Sequence, residues 1–252
     1  MKAARTIPLV RRRDILLAVL AAAAAAVGVV SLAGRTVFAQ GAAAKPKIGL
    51  IGSGNVGSNL GRVWANAGYQ VMFSSKDIAA DRALAAQIGA NARAGTPQEA
   101  AAFGDVLVFA VPYGALPELG KTLGSSLKGK VAIDASNPFP ARDGAIADEA
   151  RAQGAGIVSA RLLPGARIVR AFNAVGAARM GAMHETPGKV GMPIASDDAQ
   201  AIEIASKLIR DIGFEPVVVG GLAMGKHLMP GTPLAGEHTP EEIRKIAATL
   251  TP

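Results

Sequence analysis

The segment Lys47-Ile48-Gly49-Leu50-Ile51 runs straight into Gly52-Ser53-Gly54-Asn55-Val56-Gly57. A short apolar run that ends on glycine reads as a buried strand. Val56, Leu60, Val63 and Trp64 then recur at helical spacing between Asn55 and Ala67, and Gly68 stops the pattern. A strand, three glycines at G-x-G-x-x-G spacing and a helix leave few folds open. The first glycine allows a tight turn. The second lets backbone amides approach a pyrophosphate, and the third lets the helix pack close on the strand. The free N–H groups and positive dipole end of the helix would face the phosphates. A glycine-rich turn without a ligand has the same spacing; the flanking strand and helix weigh against it.

The rest of the chain alternates in the same way. Gln70–Phe73, Val106–Val111, Val131–Asp134, Arg167–Phe172, Val190–Ala195 and Pro216–Val219 read as strands. Asp77–Ile88 reads as a helix capped by Asp77, with further helices at Leu116–Leu127, Asp198–Ile212 and, shorter, Gly221–Met229. Thr239-Pro240-Glu241-Glu242 is a capping box with proline at the first helical position, which predicts a final helix to Leu250. Strands alternating with helices predict an α/β fold, a doubly wound parallel sheet of the Rossmann kind with a small C-terminal α/β extension. Residues 40–252 are expected to form this single dinucleotide-binding domain.

The end of the second strand bears on the kind of dinucleotide. An NAD enzyme usually places Asp or Glu there, to accept hydrogen bonds from the ribose. This chain has Ser74-Ser75-Lys76, and Asp77 is accounted for as a helix cap. Two hydroxyls can donate to a phosphate and a lysine can neutralise it. This predicts NADP(H), with its 2′-phosphate at Ser74, Ser75 and Lys76; the bland alternative is a polar loop with a solvated lysine.

The first 39 residues read differently. Six of the chain's 27 basic residues and one of its 19 acids lie there, so the body holds 21 bases against 18 acids. The high pI belongs to the N-terminus, and the body is not basic enough to predict nucleic acid as a partner. Arg12-Arg13-Asp14-Ile15-Leu16 opens a stretch without charge to Gly34, and Val37-Phe38-Ala39 is a small-x-small cleavage site. This is the pattern of a signal peptide at residues 1–39, of the twin-arginine type, which carries folded proteins through the twin-arginine translocation machinery. It predicts an exported, periplasmic or extracellular protein. Residues 15–34 as a membrane anchor is the alternative.

Longer blocks carry a resemblance. Lys47 to Gly57, Ser74-Ser75-Lys76, Val108-Phe109-Ala110-Val111-Pro112 and Asp134-Ala135-Ser136-Asn137-Pro138 stand in order. Arg170-Ala171-Phe172-Asn173, Pro193-Ile194-Ala195-Ser196-Asp197-Asp198 and Gly213-Phe214-Glu215-Pro216 follow, as far as Gly220-Gly221-Leu222. Over about residues 46–229 the chain resembles the NADPH-dependent reductases of the deazaflavin coenzyme F420. The resemblance implies a Rossmann domain, NADP at the strand tips, the deazaflavin as co-substrate stacked on the nicotinamide, and a homodimer through the C-terminal helices. The chain departs from the family pattern at Lys76, where the family usually has arginine, and at Met229, where it usually has glutamate.

Hydride transfer between two cofactors asks the protein for alignment and dryness rather than for a nucleophile. Val111 and Pro112 should end the fourth strand beside the pyrophosphate and ribose. Asn137 and Asn173 should end the next two, where an amide orients the nicotinamide carboxamide or a substrate carbonyl; a loop cap is the alternative for each. His184, His227 and His238 lack metal-ligand spacing. Met180, Met183 and Met192 offer an apolar wall or ordinary packing. Trp64 reads as packing. A β-hydroxyacid or imine reductase would need a long helical C-terminal domain, for which the segment after the last strand is short. A module that binds NADP without turnover would carry the same glycines. A protein exported with NADP is expected to hold it tightly.

Overall fold

The first strands are short, apolar and covered on both faces, the pattern of parallel strands between two helical layers. In this computed structural model, which describes residues 44–252 apart from 183 and 184, β1 (Ile48–Ile51), β4 (Val106–Phe109) and β5 (Val131–Asp134) are buried at every position. β2 (Val71–Ser74), β3 (Ala92–Ala94), β6 (Arg167–Arg170), β7 (Gly191–Ala195) and β8 (Glu215–Gly220) complete one eight-stranded sheet of order β3-β2-β1-β4-β5-β6-β7-β8. Strand order reverses at β1, which pairs in parallel with both β2 and β4. The crevice at such a switch point is where open α/β sheets bind ligands. The signal-peptide reading lies outside the described residues. Among those residues, no helix is long and apolar enough to cross a membrane.

Among the described residues ten α-helices accompany the strands: α1 (Asn55–Asn66), α2 (Ile78–Ile88), α3 (Pro97–Phe103), α4 (Leu116–Leu123), α5 (Pro140–Asp143), α6 (Ala145–Gln153), α7 (Ala155–Leu162), α8 (Ala177–Ala182), α9 (Ala199–Arg210) and, after β8, α10 (Pro240–Ala247). Leu60, Val63 and Trp64 of α1 and Leu208 and Ile209 of α9 pack on one sheet face with Leu50, Val108 and Ile133. Trp64 is core, as expected, and its indole N–H donates to the Leu208 carbonyl at 3.0 Å. Leu116, Leu123 and Val158 cover the other face over Leu107, Phe109, Ala132 and Ile168. Asp77 caps α2, accepting from the amides of Ala79 and Ala80. Thr239 and Glu242 close the predicted capping box of α10.

The structure corrects the sequence reading in three places. β3 and α3 fill the stretch between Ile88 and Val106, although Ala92-Arg93-Ala94 carries almost no strand signal. Three helices, cut at Gly144 and Gly154, occupy residues 140–162. The last two strands also run against the rest: β7 meets β6 antiparallel at Arg170 and Ala195, and β8 is parallel to β7. Between the two strands α8 is docked on α1, where the Asn59 amide donates to the Ala177 carbonyl at 3.0 Å. The chain enters β7 from the tip side and runs back.

Two charges lie inside the second layer. Asp134 ends β5 and Arg170 ends β6, directly opposite each other in parallel register. Both are fully buried, with Arg170 Nη1 2.6 Å from Asp134 Oδ2. The same nitrogen donates to the Ser136 carbonyl at 2.7 Å. The carboxylate also accepts from the Ser159 hydroxyl at 2.6 Å and the Ser136 amide at 2.9 Å. A buried charge is tolerable when paired and hydrogen-bonded, and costly once its partner goes.

Two predictions arise from these packing arrangements. Arg170→Met should destabilise the fold by about 3–5 kcal/mol in urea unfolding, because Asp134 is then buried alone. Asp134→Leu combined with Arg170→Met should recover a large part of that loss; equal or greater loss in the double variant would show that the pair is not the cause. At the sheet's other charged corner, Arg167 forks onto Asp198 with two contacts of 2.6 Å. That guanidinium, with the Ala201 amide, lowers the Asp198 carboxyl from 3.8 to about 2. A depressed carboxyl stabilises above its unfolded value and loses that contribution on protonation. The gap in melting temperature between the parent chain and Asp198→Asn should be full above about pH 4 and close between about pH 4 and 2.

Candidate functional site

The glycine loop crosses the tips of β1 and β4. Gly52 has φ +99°, and a Cβ there would stand 2.4 Å from the Ala110 carbonyl oxygen and 2.7 Å from Val111 Cγ1. Val111 thus lies against the loop, although β4 itself ends two residues earlier at Phe109, and Pro112 leads the turn Tyr113–Ala115 that follows. A Cβ on Gly57 would lie 1.9 Å from the Gly52 oxygen, so helix and turn meet there backbone to backbone. Gly54 is different: nothing lies within 4 Å of its Cβ position. Its neighbours in the chain do not require a glycine, and the space in front of it is open. α1 has no side-chain cap at Gly54 and no acid in its first turn. The amides from Asn55 onward therefore face that space uncapped, a ready anion site.

The end of β2 needs correcting at its hydroxyls. Ser74 is fully buried and its hydroxyl donates to the Leu50 carbonyl at 2.8 Å, so it faces the sheet and not the crevice. Ser75 donates to Asp81 Oδ2 at 2.9 Å, and Ser53 of the glycine loop donates to Asp81 Oδ1. Asp81, in the first turn of α2, is 1% exposed. A carboxylate therefore stands behind the strand end after all, delivered from the next helix. Lys76 is exposed beside it.

Asn137 and Asn173 meet at the tips of β5 and β6. The Asn137 amide nitrogen donates to the Asn173 carbonyl at 2.8 Å. The Asn173 amide donates to the Asp134 and Ser136 carbonyls, both at 3.2 Å. Each thus holds the loops together, as the capping alternative expects, yet each keeps its Oδ1 buried with no partner among the described residues. An unpaired buried acceptor costs free energy unless something donates to it. Below them lies the Asp134–Arg170 pair. Tyr113 completes the layer, 3.0 Å from the Ser159 hydroxyl and donating to the Ala155 carbonyl at 2.8 Å; burial pushes its phenol up to about 12.

Phe172, between β6 and Asn173, has φ 65°, the one non-glycine left-handed residue among those described. Its ring packs edge-on to Trp64 and Phe214, at centroid distances of 5.7 and 6.2 Å.

The remaining candidates fall away from the site or into the core. Met180 and Met192 are fully buried packing residues; Met183 and His184 lie outside the described residues. His227 contacts the Thr251 carbonyl and His238 the Ala235 carbonyl. Among the described residues, no group of metal-ligating side chains occurs. Met229 is buried in the core. Sequence reasoning missed Asp81, Asp134 and Arg170. The signal for the last two was an acid and a base closing adjacent apolar strands; Asp81 left no signal beyond its place one turn after a cap.

Comparisons with known proteins bear on the fold and the family. Residues 47–138 match the family described as NADP oxidoreductase coenzyme F420-dependent. The F420-dependent NADP reductase of Methanothermobacter thermautotrophicus is 31% identical over 202 residues, covering 75% of this chain and 87% of that one. The metalloreductase STEAP3 of Rattus norvegicus is 26% identical over 186 residues, 73% of this chain but 36% of its own length. Among solved structures, a hypothetical protein of Sinorhizobium meliloti superposes with a TM-score of 0.64 at 28% identity, covering 77% of this chain and 95% of that chain. The fold, the glycine loop and a relationship spread over most of both sequences place the chain in the family of F420-dependent NADP oxidoreductases.

Proposed function

We propose that the chain binds NADPH across the tips of β2, β1, β4, β5 and β6 and passes its hydride to a small planar acceptor such as a deazaflavin. The observation that carries this reading is the open, amide-lined space at Gly54. The fold does not need glycine there, whereas a pyrophosphate approached by backbone does. The Oδ1 atoms of Asn137 and Asn173 fit the same reading, since a nicotinamide carboxamide brings N–H donors. Lys76 would meet the 2′-phosphate as a point charge. When bound, the dinucleotide supplies the hydride chemistry. The chain's own part is to hold two planar rings in register and keep water out: the glycine loop and Val111 bind, the two asparagines orient, and Phe139, 40% exposed beyond Asn137, offers an apolar face. An acceptor of another planar class fits the same arrangement.

The proposal extends to place and assembly. The twin-arginine pattern supports export of the folded, NADP-loaded protein, and a homodimer through the C-terminal helices follows from the family resemblance. Replacing Arg12 and Arg13 by lysine should retain the protein in the cytoplasm in a cell fractionation; unchanged export would point to another route.

Calorimetric titration tests the site. NADPH should bind with a preference over NADH, and Lys76→Glu should weaken NADPH roughly tenfold, about 1.4 kcal/mol, with NADH changed by less than about twofold. Adding deazaflavin should consume NADPH absorbance. Binding without that loss would indicate a holding module, and absence of binding for both nucleotides would remove the enzyme reading.

A further inference from the structure

We propose that Asp81 is a specificity-determining residue, which sets how strongly this chain distinguishes NADPH from NADH. The inference rests on the nucleotide site proposed above. It begins from where two hydroxyl protons point. Ser53, in the glycine loop, and Ser75, at the end of β2, both donate to the carboxylate of Asp81, one to each oxygen. Asp81 is 1% exposed and pairs with no cation among the described residues. The two serines and the start of α2, where an acid is favoured by the helix dipole, are what support its charge. A buried charge held by so few donors does not release them cheaply.

A hydroxyl has one proton to give. Once Ser53 and Ser75 have given theirs to Asp81, each can offer an incoming ligand only lone-pair acceptance, and at Ser75 one lone pair already accepts from the Asp77 amide at 3.1 Å. A 2′-phosphate carries close to two negative charges and presents acceptor oxygens. At Ser53 and Ser75 it would meet acceptors, with a carboxylate behind them. A free ribose 2′-hydroxyl is a donor, and it can give its proton to either serine. Asp81 therefore turns a pair of residues that read in the sequence as phosphate donors into a pair suited to a ribose hydroxyl. Ser74 cannot compensate, because its proton is committed to the Leu50 carbonyl. What remains for the phosphate is the charge of the exposed Lys76. NADPH and NADH should accordingly both bind, with affinities within about tenfold of each other, or 1.4 kcal/mol.

The test is a set of dissociation constants for NADPH and NADH, measured by calorimetry on the full chain, with thermal melting to confirm folding. Asp81→Asn removes the charge and frees at least one hydroxyl proton. It should raise the NADPH preference at least tenfold, by tightening NADPH and weakening NADH. Ser75→Ala should leave NADPH affinity within about twofold in the parent chain but lower it in the Asp81→Asn background, where that hydroxyl can donate. Should Asp81→Asn fail to fold, Asp81→Ser and Asp81→Ala serve the same purpose. A purely structural Asp81 would weaken both nucleotides equally and leave their ratio unchanged, which overturns the inference while leaving the nucleotide site standing. A parent chain that prefers NADPH by a hundredfold or more overturns it too. A parent chain that binds neither nucleotide overturns the site itself.

Discussion

The carboxyl edge of this sheet is organised around one buried ion pair. Asp134 and Arg170 stand opposite each other at the ends of neighbouring strands, sealed from water. Their attraction matters less than what their burial demands. The carboxylate draws in the Ser136 amide and the Ser159 hydroxyl and Arg170 Nη1 the Ser136 carbonyl, while Arg170 Nε and Nη2 stay buried with no partner among the described residues. Those partners fix the loops after β5 and β6, and the loops carry Asn137 and Asn173. A well-packed apolar pair would serve folding at least as well. The polar pair instead leaves the strand tips lined with oriented amides and carbonyls.

The chemistry of NADP oxidoreductases fits such a frame: the cofactor carries the reactivity, so what the protein contributes is precision of placement. The site is built accordingly. The first amides of α1 are uncapped beside an open space at Gly54, and the Oδ1 atoms of Asn137 and Asn173 are buried without a partner among the described residues.

How much of this was legible depended on range. β1, the glycine loop and α1 are local: a strand, a turn and a helix within twenty-one residues, each with its own periodicity. They were readable, as were the caps at Asp77 and Thr239. Three things were not, because the deciding contacts are distant in sequence. Arg170 and Asp134 looked like strand ends until register set them side by side. Ser74 and Ser75 look identical in sequence, and pleating turns one inward to Leu50 and the other outward to Asp81. The reversal of β7 rests on the pairing of Arg170 with Ala195, residues that no local pattern links. The antiparallel edge left the fold class intact and changed its far side.

The left-handed backbone at Phe172 has a consequence for the timing of order. A side chain held in that conformation costs roughly 1–2 kcal/mol. Here the ring is held between Trp64 and Phe214, so the bend is imposed by the core and set when the core forms. The Asn173 loop then takes its shape together with the core, independently of any ligand. A ligand that met so rigid a tip would lose little to ordering of the protein.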